Sequence, residues 1–209
     1  MTAKETLDRY LNQCPLIAII RGVMPGEVEA IGDAIFDAGI RIIEVPLNSP
    51  QPLESIAKLA ARFGDRALIG GGTVLTSLKV SDTKEAGGRL IVSPNTDAEV
   101  IAATAAAGLV SCPGYFTPSD AFDALAAGAT ALKLFPAEGA SPAVLKAHRA
   151  VLPKDLPLIV VGGIHPGNMQ PWIEAGANGF GLGSALYRPG QSVAETAEKA
   201  RAFVDGWRG

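Results

Sequence analysis

Cysteine and histidine are scarce in this sequence: Cys14, Cys112, His148 and His165 are all it has. That excludes a disulfide-stapled scaffold and leaves no His/Cys spacing of the zinc-site kind, so no metal is expected. So few cysteines also fit a reduced, cytoplasmic chain. Charge of one sign is lacking too. The net charge is −3 with no basic tract, which argues against nucleic acid and anionic membranes as partners. No apolar run is long enough to span a bilayer. The first 13 residues carry Lys4, Glu5, Asp8 and Arg9 and so lack the apolar centre of a signal peptide. No Gly-x-Gly-x-x-Gly turn and no Walker loop is present, so no nucleotide cofactor is expected.

What remains is a 209-residue chain that is 48% hydrophobic, with 24 glycines and 15 prolines spread between apolar runs. The spread predicts many tight turns rather than disorder. Eight short runs read as strands: Leu16–Arg21, Ile42–Leu47, Leu68–Thr73, Leu90–Pro94, Leu109–Pro113, Ala131–Phe135, Leu158–Gly162 and Gly179–Gly183. Helical patterns alternate with them, among them Glu27–Ala38, Leu53–Phe63, Ala98–Ala107, Ser119–Ala127 and Ala143–Leu152. Such alternation implies parallel βαβ units with right-handed crossovers. Eight units over residues 1–209 predict an α/β chain forming a single (β/α)₈ TIM barrel, with a doubly wound sheet as the alternative. Met1–Gln13 reads as an extra N-terminal helix closing the bottom of the barrel. A recurrent small-residue phrase ending in Gly39, Gly87, Gly108, Gly128 and Gly176 marks helix ends that need a left-handed residue.

In such a barrel the chemistry lies where strands end. Lys133 sits inside the apolar run Ala131–Phe135. A buried ammonium is costly, so its neutral amine becomes accessible as a nucleophile for a ketone. A strand-end lysine paired with a structural carboxylate is the other reading. Glu44 sits in Ile42–Pro46, and strand alternation lets both charged residues face the lumen. There Glu44 either moves protons or forms a plain ion pair. Arg21 ends the first strand and can pair with Glu44 or bind an acid group. Thr73, after three glycines, can bond a carboxylate. Gly162–Gly163 and Gly183–Ser184 follow the last two strands, where barrels bind phosphate through backbone N–H groups; tight turns are the plainer alternative. Cys112, Trp172 and Trp207 read as packing.

Taken in order, Ile17-Ala-Ile-Ile-Arg-Gly22, Ile43-Glu-Val-Pro-Leu-Asn-Ser-Pro50, Ile69-Gly-Gly-Gly-Thr-Val74, Ile91-Val-Ser-Pro-Asn95, Cys112-Pro-Gly114, Ala131-Leu-Lys-Leu-Phe-Pro136, Val161-Gly-Gly-Ile164 and Gly181-Leu-Gly-Ser184 resemble the 2-keto-3-deoxy-6-phosphogluconate and 6-phosphogalactonate aldolase family over nearly the whole chain. The resemblance implies a cofactor-free, usually trimeric barrel that cleaves a phosphorylated 2-keto-3-deoxy sugar acid. It implies Lys133 as the Schiff-base lysine and Glu44 as the proton-handling carboxylate. Thr73 would lie at the pyruvyl carboxylate, and Arg21, Phe135, Val161 and Ile164 along the substrate. Gly162, Gly163, Gly183 and Ser184 would hold the phosphate. Gluconate-type members tend to read Glu-x-Thr-x-Arg at the second strand and Thr before the Gly-Gly pair. Here the residues are Glu44-Val-Pro-Leu-Asn48 and Val161, so the resemblance is nearer to the phosphogalactonate branch. Rival readings are a gluconate-type or dual-specificity aldolase, a phosphosugar isomerase, a metal-dependent pyruvate aldolase, and a non-catalytic barrel that binds a phosphorylated ligand.

Overall fold

A computed structural model describes residues 1–208 of the chain. Its strands are β1 (Leu16–Ile19), β2 (Ile42–Pro46), β3 (Leu68–Gly72), β4 (Leu90–Val92), β5 (Val110–Cys112), β6 (Gly114–Tyr115), β7 (Leu132–Leu134), β8 (Leu158–Val161) and β9 (Gly179–Leu182). All pair in parallel, in the order β5-β4-β3-β2-β1-β9-β8-β7-β6. β5 and β6 are one extended run interrupted at Pro113, which has no N–H to give to a ladder. The carbonyls of Ser111 and Pro113 still accept from Ala131 and Lys133, at 3.0 and 2.8 Å, and carry the pairing across the break. The ring is therefore the expected barrel, with its fifth strand split in two.

Helices α1 (Ala3–Leu11), α2 (Val28–Asp37), α3 (Pro52–Phe63), α4 (Ser77–Glu85), α5 (Ala98–Ala106), α6 (Pro118–Ala126), α7 (Pro142–Arg149), α8 (Met169–Glu174) and α9 (Val193–Arg208) accompany the strands. Their ends obey local chemistry. Thr2 and Thr117 form capping boxes with Glu5 and Asp120, and Asp97 accepts from the N–H groups of Glu99 and Val100. Gly39, Gly87, Gly108, Gly128 and Gly176 all have positive φ, as the recurrent phrase predicted. Among the described residues no helix is long and apolar enough to cross a membrane.

Strand alternation sorts the side chains into two apolar bodies. Leu16, Ala18, Ile43, Val45, Leu132, Leu134, Leu158, Val160, Phe180 and Leu182 point outward beneath the helices. Ile17, Ile19, Ile42, Leu68, Leu90, Val110, Cys112, Ala131, Ile159 and Val161 fill the lumen. Leu7, Tyr10 and Leu11 of α1 join the lumen set, so α1 is the bottom plug. Each buried Val, Leu, Ile or Phe among them contributes about 1.5–3 kcal/mol of transfer free energy. Below the plug Arg89 donates to Asp65 Oδ1, Tyr10 Oη, Gly64 O and Ala67 O.

Candidate active site

Glu44 lies on β2 and Lys133 on β7, the second and sixth positions around the ring. In an eight-position barrel those strands are opposite, so the two side chains approach each other across the lumen. Both are buried, at 2% and 7% exposure. Glycines make the room: a Cβ at Gly72 would collide with the Glu44 carboxylate, and one at Gly181 would lie 2.6 Å from Val161 Cγ2. Glu44, Lys133, Cys112 and Val161 line a void of about 10 Å³, the lower limit of room for one water.

Neither charge is satisfied. Glu44 Oε2 has no hydrogen-bond partner. Among the described residues no ion pair or hydrogen bond reaches Lys133 Nζ, which lies 4.4 Å from the Phe135 ring centroid. Burial pushes the Glu44 carboxyl up to about 7, against the opposing pull of Lys133 and Arg21. Burial likewise holds Lys133 below the usual ammonium range, with Glu44 pulling the other way. Desolvation is the larger influence on each group and moves both toward their neutral forms, and no ion pair joins Glu44 to Lys133, so the plain ion-pair reading does not hold. Cys112 is pushed up to about 12 by burial and remains a packed thiol.

Above the void a cavity of about 460 Å³ opens at the carboxyl ends of the strands. It is lined by Arg21, Thr73, Lys133, Phe135, Val161, Gly162, Gly163, Ile164, Gly183 and Ser184. These are all the site residues named from the sequence except Glu44, which lies in the void below. Lys133 and Val161 border both spaces. Arg21 lies just beyond the end of β1, exposed, and donates to Asn48 Oδ1 and, at 3.4 Å, to Thr73 Oγ1. It forms no ion pair with Glu44, so that expected alternative does not hold. Thr73 has φ of 53°, an uncommon conformation for a non-glycine residue and one concentrated at functional positions.

At the other end Gly162 and Gly163 have φ of 115° and 64°. Among the described residues no hydrogen bond uses the N–H groups of Gly163, Ile164, Ser184 or Ala185. Such a set of free donors around a cavity has the chemistry to hold an anion. The turn carrying Ser184 is braced: Tyr187 Oη donates to Glu27 Oε1 at 2.7 Å, joining the last strand's loop to the first strand's.

Arg188, His165 and Glu138 also line the cavity and were not named as site residues from the sequence. Arg188 donates from Nε to Ser184 O at 3.1 Å; as a cation after the last strand it was findable by the rule that placed Ser184. His165 was read only as one of two histidines without zinc-site spacing. Glu138 lies in the short 3₁₀ turn Ala137–Gly139, beyond the strand whose pattern gave Lys133, and no spacing signalled it.

Known proteins match this arrangement. The family model described as KDPG and KHG aldolase matches residues 7–200. The 2-dehydro-3-deoxy-6-phosphogalactonate aldolase of Escherichia coli (strain K12) is 48% identical over 96% of this chain and 98% of its own. A solved structure described as native KDPGal superposes with a TM-score of 0.92 at 49% identity, covering 94% of this chain and 95% of that one. KDPG aldolase from Legionella pneumophila, with pyruvate captured as a covalent carbinolamine intermediate, gives a TM-score of 0.78 at 25% identity over 96% of this chain and 95% of that one. The chain belongs to the KDPG and KHG aldolase family.

Proposed function

We propose that residues 1–209 act as one catalytic domain, a metal-independent lysine Schiff-base aldolase. It cleaves 2-dehydro-3-deoxy-6-phosphogalactonate to pyruvate and D-glyceraldehyde 3-phosphate. The observation that carries this reading is the buried, unpaired Lys133 amine opposite an unpaired Glu44 carboxyl at the floor of a cavity. A phosphosugar isomerase has no use for such an amine, and a merely ligand-binding barrel would not keep two desolvated charges unpaired.

The neutral Lys133 Nζ attacks the C2 carbonyl carbon, and loss of the resulting hydroxyl as water leaves an iminium. Glu44, in its carboxylate form, takes the C4 hydroxyl proton directly or through one water. The C3–C4 electron pair moves into a C2–C3 double bond, neutralising the iminium as an enamine. The C4 aldehyde leaves as glyceraldehyde 3-phosphate. Protonation of C3 and hydrolysis then free pyruvate and Lys133. Arg21 and Thr73 take the carboxylate, with Phe135 packed along the chain. The backbone at Gly162, Gly163, Ile164, Gly183 and Ser184 takes the phosphate, and Arg188 adds a charge beside it. The C4 hydroxyl passes near Val161, which cannot hydrogen-bond, so one C4 epimer is disfavoured. Borohydride trapping with pyruvate, read by mass spectrometry, tests the assignment: the adduct must map to Lys133 and vanish in Lys133→Ala.

The assembly we propose is a homotrimer in the cytoplasm. Leu75, Leu78, Phe116 and Phe122 are exposed around the neighbouring helices α4, α5 and α6 and supply an apolar face for it. Sedimentation at micromolar protein gives the mass; a monomer rejects this part.

A further inference from the structure

The cavity is lined by a carboxylate, Glu138, that nothing in the aldol chemistry uses. Glu138 reaches back from its 3₁₀ turn and lies against Gly162 and Gly163. A Cβ at Gly162 would collide with its carboxylate, and one at Gly163 would lie 2.9 Å from its Cγ. Glycine at these positions therefore does more than let an anion approach: it makes a seat for Glu138. Among the described residues the carboxylate has no hydrogen bond or ion pair, although it lines the cavity.

Its contact with Gly162 places Glu138 at the phosphate end, whereas Glu44 lies with Lys133 at the imine end. The two carboxylates thus bracket the substrate. A carboxylate accepts hydrogen bonds and cannot bond a phosphate dianion, which also only accepts. Within its reach the substrate offers one donor that the bond-breaking step leaves untouched, the hydroxyl on the carbon next to the phosphate-bearing one. We propose that Glu138 is a specificity-determining residue that accepts a hydrogen bond from this C5 hydroxyl. It selects phosphorylated aldehydes hydroxylated next to the carbonyl over their deoxy analogues. The reading rests on the aldolase assignment above.

The test runs the reaction as carbon–carbon bond formation. Pyruvate is combined with D-glyceraldehyde 3-phosphate or with 3-oxopropyl phosphate, which keeps the aldehyde and the phosphate and lacks only the hydroxyl. The wild-type kcat/KM should favour the hydroxylated acceptor by about 10- to 100-fold. In Glu138→Ala that preference should collapse to within about threefold, through loss on the hydroxylated acceptor. Glu138→Gln, whose amide oxygen still accepts, should keep part of it. The proposal is overturned if the wild type shows no preference, if the preference survives Glu138→Ala, or if both acceptors gain together (simple repulsion of phosphate). Both falling together would make Glu138 structural and overturn it as well. Borohydride trapping of pyruvate on Lys133 in the same samples reports separately on the aldolase reading.

Discussion

The two ends of this barrel treat charge in opposite ways. At the bottom, Arg89 meets a carboxylate, a phenol and two carbonyls. Near that same end Arg149 donates to Leu156 O, Pro153 O, Gly176 O and Asn178 Oδ1. At the top, Lys133, Glu44 and Glu138 carry no side-chain hydrogen bond or ion pair among the described residues. Composition does not separate the ends; satisfaction does. Saturated donors fix loops to the sheet, and unsatisfied ones wait for a ligand.

The largest test of that contrast is Lys133→Met. Activity should fall roughly 10⁴- to 10⁶-fold, the scale of losing a nucleophile. Thermal stability should rise, because a desolvated amine is replaced by an apolar chain of similar length. A melting point that falls would mean that Lys133 is satisfied after all.

Next comes Glu44→Gln. Cleavage should slow about 10²- to 10⁴-fold, while pyruvate still forms its imine. Stability carries a signature of its own. Burial raises the folded carboxyl from 4.5 to about 7, so between those values the folded state holds a proton that the unfolded state releases. Stability should therefore fall as pH rises through this window, and Glu44→Gln should remove Glu44's part of that slope. Melting curves at intervals across the window measure it.

Val161→Thr sharpens the contrast inside the cavity. It adds a hydrogen-bonding group where the wall is apolar and should move the epimer ratio toward the gluconate form by roughly 5- to 150-fold. Assaying both epimers decides this: an unmoved ratio removes Val161 from the explanation, and a wild-type preference for gluconate refutes the galactonate reading.

Arg89→Met is the counterpart at the bottom. It should cost about 2–3 kcal/mol of stability by stranding its acceptors and leave kcat within about twofold. Large loss of kcat would break the division between the ends. The smallest effect is expected from Gly183→Ala. A Cβ there meets nothing within 4 Å, so it projects into open space beside the free N–H donors of the cavity. Phosphorylated ligands should weaken by roughly threefold, with the fold undisturbed.

Much of this was legible in the sequence. Apolar runs separated by helical patterns and glycine stops specify a parallel barrel, because both faces of each strand are buried. Lys133 and Glu44 stood out because a charge inside an apolar strand is anomalous. The split at Pro113 was not legible: the run was read as ending there, and only the pairing of Gly114 and Tyr115 with Lys133 and Leu134 shows it continuing. Arg21 was expected at a strand end, but β1 stops at Ile19 and leaves Arg21 free to turn to Asn48. Glu138 was hidden for a more general reason. Exposed glutamates in turns are ordinary, and only the bare backbone at Gly162–Gly163, distant in sequence, shows where this one rests.

The pairing of β1 with β9, Ala18 beside Leu182, has a consequence for how the chain is made. β1 takes its second neighbour from β9, which is synthesised long after it. At about 5–20 residues per second, more than 160 residues of synthesis separate them, roughly ten to thirty seconds. Throughout that interval one edge of β1 offers unpaired N–H and C=O groups, and the lumen side chains of the half-built sheet face no opposite wall. Ring closure is a long-range event, so it comes late and sets the pace of folding. Premature termination anywhere before Gly179 leaves an open sheet rather than a smaller barrel, and such fragments are substrates for aggregation or proteolysis.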